Sequence, residues 1–220
     1  VFARYYQLII ACICVFSTAY SAAMILGAEA LMQFVYGQKY AGSGIILGWL
    51  TAANAFRNLR IAPAIAAMAR GDSVNQMISN LARVVALLPA LVIALSGQPV
   101  WLIACTGLIG EVLACAVSYR RLATLHQVPL SSSLWPTVLV TVVVVSAGFA
   151  NHLGAQHLNP GQSLSLAALG GGLAGLGVLI LLDDSRREAL RFWRQFRNLG
   201  LRECLSLLKG AGVPKANTSG

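Results

Sequence analysis

Six long apolar stretches separated by short polar segments dominate the chain. A helix needs about 20 predominantly apolar residues to cross the hydrocarbon core of a bilayer. The first stretch runs from Leu8 to Tyr36, longer than required, so Glu29 within it is expected near the membrane exit. A turn bearing Gly37, Gly42 and Gly44 follows. The second stretch covers Ile45 to Met68, and the third covers Met77 to Leu95 with a kink expected at Pro89. Ser96-Gly97-Gln98-Pro99 reads as a tight turn. The fourth stretch covers Val100 to Ser118, the fifth Leu134 to Ala150, and the sixth Leu164 to Leu182. The fifth is rich in β-branched residues, which is no obstacle to helix in lipid, where the backbone must satisfy its own hydrogen bonds. The sixth carries Gly171-x-x-x-Gly175, a small-residue face suited to close helix packing. The pattern predicts an all-α polytopic bundle with six spans over residues 1–182.

Basic residues between the stretches alternate in a way that sets an orientation. Arg4, Arg70 and Arg120-Arg121 fall on one side together with an arginine-rich tail. The opposite side carries Lys39 and then no charge in Gly97–Pro99 or Asn151–Ser163. Basic loops stay in the cytoplasm, so both ends of the chain are expected there. Only 10% of the 220 residues are charged while 57% are hydrophobic. A soluble domain carries about 25% charged residues, so lipid is read as the main solvent. The formal net charge of +9 does not point to nucleic acid, because six of the 16 basic residues are arginines between Arg186 and Arg202, after the last apolar stretch.

That tail, 183–210, reads as an amphipathic helix lying in the headgroup plane. Arg187, Arg191 and Arg194, with Trp193, are the candidate membrane-surface residues, and anionic phospholipids are their expected partner. Residues 211–220 are small and polar and are expected to be disordered. The chain begins with Val1 and meets an apolar stretch almost at once, which reads as the C-terminal part of a longer protein.

No catalytic, metal or cofactor constellation emerges. His126, His152 and His157 all fall in predicted loops without an accompanying acid or thiol cluster, and the five cysteines have no ligand spacing. The informative residues are the ionisable groups inside the apolar stretches. Each costs about 2.5–3.5 kcal/mol on insertion scales, so they face a bundle interior or a wet cavity. Thr51, Asn54, Arg57 and Asn58 share one arc of the second span, with Arg60 flanking it and Pro63 opposite. Asn54, Arg57 and Arg60 are therefore the candidate substrate-binding residues, and the competing reading is that the two arginines snorkel to the headgroups. Arg83 and Glu111 fall at similar depth in consecutive spans and predict an ion pair, either structural or coupled to a proton or sodium ion. With Glu111 assigned to Arg83, Arg57 and Arg60 are expected to lack a counter-ion, giving a cavity that prefers an anion.

The order of these features resembles the C-terminal half of the polysaccharide flippases of the multidrug and oligosaccharidyl-lipid exporter superfamily. The residues that carry the likeness are Phe34-Val35-Tyr36-Gly37-Gln38-Lys39-Tyr40, Ala69-Arg70-Gly71-Asp72, Asn80 with Arg83, Gly107, Gly110-Glu111 and Tyr119-Arg120-Arg121. They span about Leu8 to Leu122, and hydropathy alone extends the likeness over the last two spans. The resemblance implies a bacterial inner-membrane transporter that is not an enzyme. It would move a lipid-linked anionic oligosaccharide across the bilayer by alternating access, with polysaccharide polymerase or export machinery as further partners. It also implies that an N-terminal lobe is absent here. A cation-coupled drug exporter of the same superfamily is the alternative within transport, and a membrane enzyme or scaffold of glycan assembly the alternative outside it.

Overall fold

The computed structural model describes residues 2–154 and 159–182, all of whose regular structure is helical. The helices are α1 (Phe2–Leu26), α2 (Ala28–Tyr36), α3 (Gly44–Met68), α4 (Val74–Val84), α5 (Leu87–Leu95), α6 (Val100–His126), α7 (Ser131–Gly154) and α8 (Pro160–Leu181), with a 3₁₀ turn over Gln38–Tyr40. The expected basic tail helix, 183–210, with Arg187, Arg191, Trp193 and Arg194, and the final 211–220 lie outside the described residues, as does His157.

Among the described residues, five segments are long and apolar enough to cross a membrane: Tyr5–Leu26, Val74–Leu95 (α4 and α5 together), Val100–His126, Ser131–Leu153 and Pro160–Leu181. These helices are compatible with a multi-pass membrane protein. The remaining long helix, α3, has 25 residues, about 37 Å at 1.5 Å per residue. It has the length of a span, but Thr51, Asn54, Arg57, Asn58 and Arg60 make its middle polar. The six expected spans become five apolar helices and one polar one.

Burial differs from that of a water-soluble bundle. Leu81, Leu88, Leu95, Val142, Phe149 and Leu173 are exposed, whereas Ser17, Thr18, Ser21, Asn75, Ser79 and Ser118 are buried. Lipid is as apolar as leucine, so large aliphatic groups gain nothing by leaving it. The interior is instead closed by small side chains and interhelical hydrogen bonds. Ser17 Oγ donates to the Ala55 carbonyl at 3.1 Å, Asn75 Nδ2 donates to Ser118 Oγ at 2.9 Å, and Thr137 Oγ1 donates to Tyr119 Oη at 3.1 Å.

Two helices organise the bundle. Helix α1 packs against α3, α7 and α8, and α6 packs against α3, α4 and α5. The contact of α1 with α8 is a small-residue zipper. A Cβ built on Gly171 would lie 2.6 Å from the Ala19 carbonyl oxygen and 2.7 Å from Ala23 Cβ, and one on Gly175 would lie 2.9 Å from Ala19 Cβ. At the far end a Cβ on Gly27 would lie 3.1 Å from Ala167 Cβ. The Gly171-x-x-x-Gly175 face thus meets a matching Ala19-x-x-x-Ala23 face on α1, continued by Gly27 just past its end. Helix α3 supplies the other close packing through Ala55, Ala62 and Ala66, which join Tyr6, Ile10, Leu59 and Tyr119 in the main core.

The turns follow the local chemistry. Gly71 and Gly97 have φ of 78° and 64° and end α3 and α5, in the left-handed region where other residues are strained. The kink expected from Pro89 is a break between α4 and α5 at Val85-Ala86. Pro89 has no N–H for the Val85 carbonyl, which Leu88 N takes instead at 3.3 Å. Two histidines expected in loops are helical, because α6 and α7 run past the apolar stretches: His126 closes α6 and His152 lies in the last turn of α7.

Candidate functional site

The site lies where α3, α4 and α6 meet. Glu111 of α6 is buried, its side chain 3% exposed. Its Oε1 accepts from Arg57 Nε at 2.9 Å, with Arg57 Nη2 at 2.8 Å, and from Arg83 Nη1 at 3.2 Å. Its Oε2 stands 3.8 Å from Arg60 Nε, too far for a hydrogen bond, and neither atom has another partner. Three guanidinium groups therefore surround one carboxylate. The cluster carries an excess of two positive charges.

Local packing explains how these groups converge. A Cβ on Gly110 would lie 2.9 Å from Ala86 Cβ and 3.1 Å from the Arg83 carbonyl oxygen. Only glycine at 110 lets α6 approach the α4–α5 break closely enough for Arg83 to reach the neighbouring Glu111. On α3, Arg57 and Arg60 are three residues apart but diverge in environment. The Arg57 side chain is 52% exposed and that of Arg60 only 7%. Arg60 Nη1 donates to Ser79 Oγ at 3.0 Å and to Asn80 Oδ1 at 2.9 Å. Its Nη1 is committed to α4. Arg83, 39% exposed, stands with Arg57 on the open side of the cluster.

These positions revise the pairing expected from depth alone. Arg83 and Glu111 do meet. Yet the shortest contact of Glu111 is with Arg57, and Arg60 stands at ion-pair distance from its other oxygen, so the expectation that Arg57 and Arg60 have no counter-ion is corrected: α3 packs along α6 and brings Arg57 to the same oxygen as Arg83. Arg60 neither snorkels outward nor faces an opening, because α4 offers it two polar side chains inside the bundle. Asn54, half-buried and one turn from Arg57, makes none of the contacts to Glu111. The buried Ser79 that holds Arg60 was missed by sequence reasoning. Its signal was its polarity one residue from Asn80 within the third apolar stretch.

Two further polar anchors lie at the ends of α3. Glu29 was expected only as a residue near the interface. Its Oε1 accepts from Gly42 N at 2.6 Å and Gln33 Nε2 at 2.9 Å, and its Oε2 accepts from Gly44 N at 3.0 Å. The carboxylate thus sits on the positive N-terminal end of α3. At the other end, Asp72 in the α3–α4 turn receives Arg121 Nη2 at 3.2 Å and Asn75 N at 3.1 Å, with His126 Nε2 at 3.3 Å. Burial pushes the Asp72 carboxyl upward, but the bonds to His126, Arg121 and the Asn75 N–H outweigh it and hold the group below the usual carboxylate range. This clasp joins the turn to the end of α6.

Among the described residues no cluster of three or more His, Cys, Asp or Glu could hold a metal ion. No protein-family model matches the chain, and neither a curated protein nor a solved structure matches it.

Proposed function

We propose that the chain is one lobe of a bacterial inner-membrane flippase that moves a lipid-diphosphate-linked oligosaccharide from the cytoplasmic to the periplasmic leaflet. It makes and breaks no covalent bond. The observation that carries this reading is the excess of positive charge around Glu111, with Arg57 and Arg83 on the open side of the cluster. Guanidinium groups are costly in apolar surroundings, and two partly exposed ones sharing a single carboxylate oxygen retain unused donors. A planar fork of N–H groups matches phosphate oxygens two at a time. A diphosphate carries the charge and the acceptors that such a pair lacks. A drug exporter for cations would want the opposite sign of charge here.

Arg57 and Arg83 are therefore the groups assigned to the diphosphate. Asn54, one turn along the same side of α3, would lie toward the attached sugar. Arg60 holds α4 in place, and that in turn sets the position of Arg83. The amphipathic tail would rest on anionic lipid at the cytoplasmic surface.

The test is Arg57→Ala in the full-length protein, in a strain that depends on it for surface polysaccharide. Surface polysaccharide should be lost at matched protein levels, with lipid-linked repeat units accumulating on the cytoplasmic leaflet. Arg57→Lys should retain part of the function, because a point charge survives while the fork is lost. Undiminished polysaccharide in an Arg57→Ala, Arg83→Ala double variant would end the anion-site reading.

A further inference from the structure

We infer that Glu111 is a built-in competitor for the anion site: its carboxylate occupies the guanidinium donors that a substrate phosphate takes, and it moves to Arg60 when the phosphate arrives. This inference rests on the reading of Arg57 and Arg83 as the anion-facing pair.

Three observations lead to it. First, Glu111 is held through one oxygen. Oε1 receives both arginines of the open side, while Oε2 receives no hydrogen bond although it is buried. A buried carboxylate oxygen without a donor is costly. Second, the nearest donor to Oε2 is Arg60 Nε at 3.8 Å, and that nitrogen is itself buried and unpaired. The two orphaned atoms face each other across a gap that a shift of about 1 Å closes to hydrogen-bonding distance. Arg60 is pinned by Ser79 and Asn80, so Glu111 is the partner that moves. Third, exposure is graded. Arg57 and Arg83 are 52% and 39% exposed and can turn toward an arriving anion, whereas Glu111, at 3%, cannot follow them outward.

The site therefore has two states. Without substrate, Glu111 neutralises the open pair and Arg60 Nε waits unpaired. With a diphosphate, whose oxygens offer more charge and more acceptors, Arg57 and Arg83 turn to the ligand. Glu111 then closes onto Arg60, satisfying both orphaned atoms. The carboxylate keeps the empty cluster from carrying three unbalanced charges in lipid. It also weakens the hold on substrate, as a transport site requires for release.

The experiment is isothermal titration of the purified full chain in neutral detergent with inorganic pyrophosphate. Wild type should bind, and Arg57→Ala should not. Glu111→Gln removes the competing charge and keeps the shape, so it should bind pyrophosphate about tenfold more tightly, the equivalent of one charge-assisted hydrogen bond no longer broken. Glu111→Asp withdraws the carboxylate by one methylene and should also bind more tightly than wild type, which provides a reading should Glu111→Gln fail to fold. Unchanged or weaker affinity in the folded variants would overturn the competitor role while leaving the anion site standing. If neither wild type nor variants bound pyrophosphate, the anion-site reading would fall, and this inference with it.

Discussion

The α1–α8 zipper makes the sharpest test of how this bundle holds together, because two adjacent glycines are predicted to differ. A Cβ at Gly171 would lie 2.6 Å from a backbone oxygen of α1 and 2.7 Å from Ala23 Cβ. Ordinary carbon contacts are about 3.5–4.0 Å, so the helices must part by roughly 1 Å. Neither contact is the far end of a flexible side chain, and so nothing local can yield. Overpacking of this kind costs about 1–3 kcal/mol. The gain in helix propensity from glycine to alanine offsets up to about 1 kcal/mol. Gly171→Ala should therefore lose about 1–2 kcal/mol. At Gly172 a Cβ meets nothing within 4 Å, and Gly172→Ala should be neutral or slightly stabilising. The assay is thermal unfolding in detergent, read by a thiol-reactive fluorophore that reaches the buried Cys14 and Cys115 only on opening. Serine at positions 12, 105 and 204 removes the background. At about 2–4 °C per kcal/mol for a chain of this size, Gly171→Ala should lower the midpoint by roughly 2–8 °C. Equal midpoints for the two variants would refute the zipper.

The Asp72 clasp predicts a pH dependence. The folded carboxyl lies below its usual range, so its stabilisation is present above the unfolded pKa and is lost as pH falls through the folded one. Asp72→Asn should lower the unfolding midpoint at neutral pH, and the gap to wild type should close as acid protonates Asp72; a gap independent of pH would contradict the clasp. The alternation of basic loops predicts that a cysteine at Gly97 is labelled by a membrane-impermeant reagent in intact cells and that one at Ser73 is not. Labelling at Ser73 would reverse the orientation expected from the basic loops.

Much of the architecture was legible because transfer into lipid is a local property of each segment. Runs of apolar residues located the long helices, and Gly71, Gly97 and Pro89 marked two turns and a break where backbone chemistry admits few alternatives. Gly171-x-x-x-Gly175 announced a close helix contact, but not that Ala19 and Ala23 would receive it. Depth in the bilayer follows from counting residues, so Arg83 and Glu111 could be set at one level from sequence. Partner choice among the three arginines could not. It depends on how α3, α4 and α6 are rotated and how far apart they stand, and Gly110 permits a contact that no periodicity reveals. Only the assembled bundle therefore decided that Arg57 shares an oxygen of Glu111 with Arg83 and that Ser79 and Asn80 take Arg60. The same holds for the polar anchors, because Asp72 is 49 residues from Arg121 and 54 from His126. Contacts at that separation exist only once intervening helices have packed. What the sequence by itself determined was which segments form long apolar helices, since that is set by nearest-neighbour chemistry; which charges meet was left to tertiary structure, because a small rotation of one helix exchanges one partner for another.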